Sequence, residues 1–371
     1  MITRKIKIGA IISLIILIVM SLLYLSITGY SIKEEKIKIG GVFHLTGAGA
    51  FWGMGEMNGV LMAIDEVNLK GGINEKQIEL ITENGETDFP KTINAIQKLI
   101  NVDEVDFIVG PTWFGQVASP LAKQFKVLMV SPSAGVVPEP NEYFFDVWPT
   151  EKQEVIPIVD YMQEKGIKRI ALIYSLNDFS QSVRNNFVEQ AKSRNIKIIE
   201  EFQVSPDEKD FKTIILKIKE LNVDAIYGTF AFYPSQGTFS KQAKELNLNL
   251  TIYSSSGTEI PDLVQAYPQV EGTIYGFRAD GPKEKEFAKN YVKKFGSVPS
   301  QSSAYAYDSA NMLIQALKSD KQTPEEISVY LKDITYQGVS NTISFDNNGR
   351  ITSKPFILKT IKDGKFVQYN N

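Results

Sequence analysis

Side chains able to do covalent or metal chemistry are scarce in this chain of 371 residues. It has no cysteine, which excludes disulfides, thiolate metal sites, a cysteine nucleophile and a lipid-modified cysteine. The single histidine, His44, cannot build a multi-histidine zinc site, and it reads as a satisfied or exposed side chain rather than a catalyst. No GxSxG, HExxH or EF-hand spacing occurs, and no paired glycosidase carboxylates stand at an informative position. No enzyme, metal site or cofactor is therefore expected. The stretch that does suggest chemistry is HLTGAGAFWGMGEM at 44–57, whose glycines Gly47, Gly49, Gly53 and Gly55 surround the aromatic pair Phe51 and Trp52. The glycines form neither a GxGxxG directly after the strand nor a GxxxxGK[ST], so they read as a bend in the backbone rather than a phosphate cradle. The chemistry expected here is ring contact with a small molecule.

The elements around that loop give it a place. A β-type run (Ile37, Ile39, Val42, Phe43) enters it, and a helix with Met57, Val60, Leu61, Ile64 and Val67 on one face leaves it. In an open α/β sheet such a loop lies at the carboxyl end of a strand, where ligands bind. Strands and helices then alternate as far as residue 130, which implies βαβ crossovers and a mostly parallel sheet with helices on both faces. The pattern pauses at FFDVWPT (144–150), and a second alternating series follows. After residue 280 come three helices, the last opened by a capping box at Thr323, Pro324 and Glu326. The runs 341–345 and 354–361, separated by Asp346-Asn347-Asn348-Gly349, read as strands joined by a hairpin. The fold class is α/β, with two doubly wound parallel-sheet lobes.

Composition agrees with a globular chain of two domains, at 43% hydrophobic and 22% charged residues. A net charge of −3, with scattered Lys and Arg, argues against nucleic acid as a partner. Residues 8–27 are apolar or small apart from Ser13, Ser21, Tyr24 and Ser26, a run that matches the ~20 residues needed to cross a bilayer. Arg4, Lys5 and Lys7 before it predict a cytoplasmic tail at 1–7, a transmembrane anchor or signal segment at 8–28, a tether at 29–36 and an extracytoplasmic globular part. The absence of an A-x-A-like site favours an uncleaved anchor over a cleaved signal, which would leave the chain secreted or periplasmic.

Five motifs in order carry a resemblance: IKIGGVFHLTG at 37–47, NGVLMAIDEVNLKGGI at 58–73, FIVGP at 107–111, VSPSA at 130–134 and YDSAN at 307–311. Together they resemble the extracytoplasmic solute-binding proteins of ABC importers with the type I periplasmic-binding fold, above all the leucine-isoleucine-valine-binding branch. The resemblance implies two lobes joined by a three-strand hinge, a ligand buried between them and closure recognised by ABC transporter permease subunits. Crossings near Pro149, near 273–278 and near Gln337 fit the hinge. Residues 37–148 with 278–336 would form lobe one, and 149–277 with 337–371 lobe two, in a monomer. The alternative is a sensor that signals through a partner protein.

The same resemblance assigns the pocket. The family's carboxylate-binding serine and threonine fall on Phe114 and Gly135, leaving Thr112, Ser133 and the amides around Ala134 as substitutes. The carboxylate that meets a ligand ammonium falls near Ser256, which carries no charge. Glu259 reads as a surface residue and Arg278 as a solvated one. Rings replace the lost polar groups: Trp52, Trp113 and Phe114 from lobe one, and Phe179, Phe230, Phe232 and Tyr233 from lobe two, with core packing taking part of the set. At about 150–250 Å² each, such rings favour an amino acid-like, amide, aromatic or heterocyclic solute.

Overall fold

The computed structural model describes residues 13–21, 35–135, 137, 141–352 and 356–369. β1 (Ile37–Phe43) runs parallel to β2 (Ile78–Asn84) on one side and β3 (Phe107–Val109) on the other. β4 (Leu128–Ser131) and β5 (Phe144–Asp146) extend this sheet to the order β2-β1-β3-β4-β5, all parallel. Successive side chains on β1 face opposite ways. Ile39 and Phe43 pack with Val60, Ile64 and Val67 of α1 (Ala50–Asn68). Val42 packs on the other face with Ile96 and Leu99 of α2 (Phe89–Asn101) and Ala118 of α3 (Gly115–Phe125). The pause at FFDVWPT is in fact a strand: Phe144, Phe145 and Asp146 are all buried at the edge of the sheet. Three enclosed residues have no alternation to reveal them.

The second sheet begins after α4 (Glu151–Glu164), whose start is fixed by a capping box in which Thr150 Oγ1 accepts from the Gln153 amide and Gln153 Oε1 accepts from the Thr150 amide. β6 (Arg169–Ser175), β7 (Lys197–Val204), β8 (Ala225–Thr229), β9 (Thr251–Ser254) and β10 (Ile274–Arg278) are parallel to one another. Their crossovers include α5 (Asp178–Ser193), α6 (Lys212–Glu220), α7 (Tyr233–Glu245) and α8 (Pro261–Ala266). α9 (Glu284–Phe295), α10 (Ser303–Lys318) and α11 (Pro324–Asp333) return to the first sheet, with Tyr305, Leu313 and Leu331 in the core that β1 shares. β11 (Tyr336–Gln337) and β12 (Thr342–Ile343) pair only with each other.

The expected hairpin is corrected. β13 (Phe356–Lys362) does not pair with 341–345. It runs antiparallel to β14 (Lys365–Gln368) through Asp363-Gly364, and along β10 on its other edge. Asn348-Gly349 and Asp363-Gly364 are both strong two-residue turn signals, and the hairpin of β13 uses the second. The second sheet therefore reads β14-β13-β10-β9-β8-β6-β7.

At the amino terminus, residues 13–21 are helical and exposed, and the rest of the 8–28 segment, the tail at 1–7 and the tether up to 34 lie outside the described residues. Among the described residues no helix is long and apolar enough to cross a membrane.

Candidate functional site

Loops at the carboxyl ends of parallel strands from both sheets converge on one cavity of about 490 Å³. The first sheet contributes Trp52 from the first turn of α1, Trp113 and Phe114 from the loop after β3, Ser133 to Gly135 from the loop after β4, and Trp148 from beyond β5. The second contributes Leu176 and Phe179 around the start of α5, Phe230, Phe232 and Tyr233 at the start of α7, and Ser256 after β9. Gln116 Nε2 donates to Asp178 Oδ2 at 2.6 Å across the mouth, joining the two walls.

The rings of the first wall support one another. Trp52 lies 6.0 Å from Trp113 and 5.8 Å from Trp148, while Phe89 stacks on Phe114 at 4.1 Å. Trp113 and Phe114 both take left-handed backbone conformations, φ 55° and 50°. Such φ values are rare for bulky residues and persist where surrounding bonds over-determine them. Here the Trp113 amide donates to Ser133 O and the Gly115 amide to Ala134 O, which pins the loop after β3 to the loop after β4.

Behind the rings sit buried polar groups that face away from the cavity. His44 is fully buried, with Nδ1 accepting from the Thr87 amide and the imidazole edge-on to Trp113 and Phe114. Burial pushes its pKa down to about 4, so it packs as a neutral ring. Glu56, also fully buried, accepts hydrogen bonds from Thr112 Oγ1 at 2.5 Å, Ser133 Oγ at 2.6 Å and Ser302 Oγ at 2.6 Å. Desolvation raises its pKa to about 7 against the opposing effect of those hydroxyls. On the second wall Glu154 plays the same part, accepting from the Ser256 amide at 2.6 Å and Ser256 Oγ at 2.9 Å, with a pKa raised by burial to about 8.

These bonds correct several expectations. Thr112 does not line the cavity; its hydroxyl is held on Glu56 behind the wall. Ser133 lines it, but its hydroxyl is taken by the same carboxylate. The Ala134 amide donates to Asp146 Oδ1 at 3.3 Å, and the Ser256 hydroxyl is committed to Glu154. Gly135 sits on the wall at φ 67° with open space where a Cβ would be. Glu259 is partly buried and does not line the cavity: Lys359 Nζ contacts it at 2.5 Å and the Tyr275 hydroxyl donates to it at 2.8 Å. Arg278 is buried rather than solvated, forked onto Glu284 and bonded to Gln301 O at 2.8 Å. Trp52, Trp113, Phe114, Phe179 and Phe232 all reach the cavity. Phe230 does so from the core, edge-on to Phe211.

Sequence reasoning missed Glu56, Trp148, Glu151 and Glu154. The signal for Glu56 was its place one turn beyond Trp52 on the buried side of α1. For the other three it was the Thr150–Gln153 capping box, which puts Glu151 and Glu154 in a first helical turn directly after an aromatic strand end.

Comparison with known proteins adds to this geometry. The family model described as periplasmic binding protein matches residues 36–365. The chain belongs to that family. Among curated family relatives, the Leu/Ile/Val-binding protein homolog 2 of Brucella abortus (strain 2308) is 26% identical over 358 residues, covering 92% of this chain and 94% of that protein. Among solved structures, the branched-chain amino acid transporter substrate binding protein LivJ from Streptococcus pneumoniae, in complex with isoleucine, aligns with a TM-score of 0.80 at 25% identity, over 90% of this chain and 98% of that one. A solute binding protein of an R. palustris ABC transporter, in complex with 4-hydroxybenzoate, aligns with a TM-score of 0.79 at 21% identity, over 91% and 96%. The second likeness shows the fold alone. The architecture is therefore that of the type I periplasmic binding proteins, and solutes as unlike as isoleucine and 4-hydroxybenzoate are held on it.

Proposed function

We propose that the chain is an extracytoplasmic receptor whose two lobes close over a small organic solute with a largely apolar or ring-bearing body and present it to the permease subunits of an ABC transporter. The observation that carries this reading is the cavity itself, walled by rings from strand ends of both sheets and bridged by Gln116 and Asp178. Pockets of roughly 300–1,000 Å³ at domain interfaces are the usual form of small-molecule sites, and hinge closure is the usual way they are sealed. Trp52, Trp113, Phe114, Phe179 and Phe232 would contact the solute directly, with Ser133, Ala134, Gly135 and Ser256 shaping the wall and Thr112 supporting it from behind. The lobe limits at 148, 277 and 336 belong to the same proposal. So does the anchor at 8–28, which rests on the apolar run and the basic residues before it.

The test is a thermal-shift panel of amino acids, aromatic acids, amides, amines and nucleobases on the full chain. A solute present at one hundred times its Kd adds about 2.7 kcal/mol of stability. A panel that moves nothing would remove the receptor reading. Retention of the chain in membranes after an alkaline wash tests the anchor, and release into the soluble fraction would count against it.

A further inference from the structure

Resting on the receptor reading, the charge inventory of the cavity narrows the class of solute. Two ionisable carboxylates, Glu151 and Asp178, line it, and among the described residues no Lys, Arg or His does. Asp178 is exposed at the mouth and accepts from Gln116. Glu151 is different: it is 7% exposed, it lines the cavity, and among the described residues no hydrogen bond or ion pair holds its carboxylate. A carboxylate so enclosed needs a cation or donors to hold its charge. Glu151 stands in the first turn of α4, where the helix dipole favours negative charge without occupying the carboxylate oxygens. Asp178 likewise occupies the first turn of α5, so the two helix starts that would otherwise attract an anion already carry their own negative charge.

The groups that the family resemblance assigns to a solute carboxylate are spent. The hydroxyls of Thr112 and Ser133 are held on Glu56, that of Ser256 is held on Glu154, and the Ala134 amide is turned to Asp146. The carboxylate of an amino acid or an aromatic acid would join Glu151 and Asp178 in a space with no positive side chain to meet it, and only the amino acid brings an ammonium to offset that charge. Ring surface, by contrast, is abundant. All three tryptophans of the chain, Trp52, Trp113 and Trp148, meet on the wall beside Glu151. The ring quadrupole attracts cations, most strongly for tryptophan, and aromatic enclosures with a nearby carboxylate recognise amines and quaternary ammonium groups.

We propose that the cavity takes an organic cation, an amine or quaternary ammonium with an apolar body and no carboxylate, whose charge sits between Glu151 and the Trp52–Trp113–Trp148 cluster. Because every tryptophan lines the site, binding is readable on the unmodified full chain by intrinsic fluorescence. The probes are choline, tetramethylammonium and 2-phenylethylamine, each beside its uncharged isostere (3,3-dimethylbutan-1-ol for choline), together with leucine and 4-hydroxybenzoate. The expected result is at least one cation that saturates at least tenfold more tightly than its isostere and than either carboxylate. Glu151→Gln should erase that preference while leaving the melting curve of the solute-free protein within a few degrees, and Trp113→Leu should weaken the cation more than the isostere. Equal affinity for cation and isostere, tighter binding of leucine or 4-hydroxybenzoate, or an unchanged preference in Glu151→Gln would overturn the cation assignment and leave the receptor reading intact. No saturable response to any of these probes, combined with no shift anywhere in the thermal panel, would remove both.

Discussion

Thr112, Ser133 and Ser302 come from three separate segments and donate to one carboxylate, so Glu56 ties two cavity loops to the helical layer behind them. Each buried hydroxyl left without its acceptor costs about 1–3 kcal/mol. Glu56→Ala is thus expected to lower unfolding free energy by at least about 2 kcal/mol in urea titrations, and a loss below 0.5 kcal/mol would mean that the hydroxyls find other partners. Glu56 also predicts a pH dependence. Its folded pKa, near 7, lies above the usual 4.5, and Glu154 at about 8 and Asp146 and Asp308 at about 6 are displaced the same way by burial. Across those windows the native state keeps protons that the unfolded chain releases, so these four carboxyls contribute most at low pH and lose that contribution as pH rises through the folded values, while the buried neutral His44 opposes them only below about pH 6.5. The urea midpoint should decline from about pH 5 to pH 8. Glu56→Gln, neutral throughout, should flatten the part of that slope below pH 7, and an undiminished slope in the variant would exclude Glu56 as its source.

At the scale of elements, α1 and α10 approach closely enough to require glycine. A Cβ on Gly59 would stand 2.3 Å from the carbonyl oxygen of Ser303, although its backbone is ordinary helix. Alanine is the better helix former by about 1 kcal/mol, while forced separation of packed elements costs typically about 1–3 kcal/mol. Gly59→Ala is therefore expected to lower the melting temperature, and a rise would show that the two helices part without loss. The amphipathic helices, the parallel strands of both sheets other than β5 and the Thr323 capping box were legible in the chain, because each is written in local periodicity or turn chemistry. β5 was not, being three enclosed residues without alternation, and neither was the partner of β13. Strand pairing depends on which edge is free, and the free edge at β10 exists only once the second sheet has formed.

For the whole molecule, the bond from Gln116 to Asp178 spans the mouth of the cavity, and on the receptor reading it would form on closure. Small-angle scattering should show the solute-free chain expanding relative to the solute-saturated one, and identical profiles would deny hinge closure. An exposed hydrogen bond contributes roughly 0.5–1.5 kcal/mol, so Gln116→Ala should weaken solute binding about two- to tenfold, measured by tryptophan fluorescence. A far larger loss would place Gln116 in contact with the solute.

By itself the sequence determined the α/β class, the two successive sheets, the ring-rich loops and the lack of thiol and multi-histidine chemistry, since composition, periodicity and loop position act within a few residues of each side chain. The direction each polar group faces was decided only by tertiary structure. Thr112, Ser133 and Ser256 carry hydroxyls suited to a ligand, yet they turn to Glu56 and Glu154 because a buried carboxylate has no water to satisfy it and takes the nearest donors. Glu151, which no motif singled out, faces the cavity because the capped start of α4 holds it there with no donor of its own among the described residues.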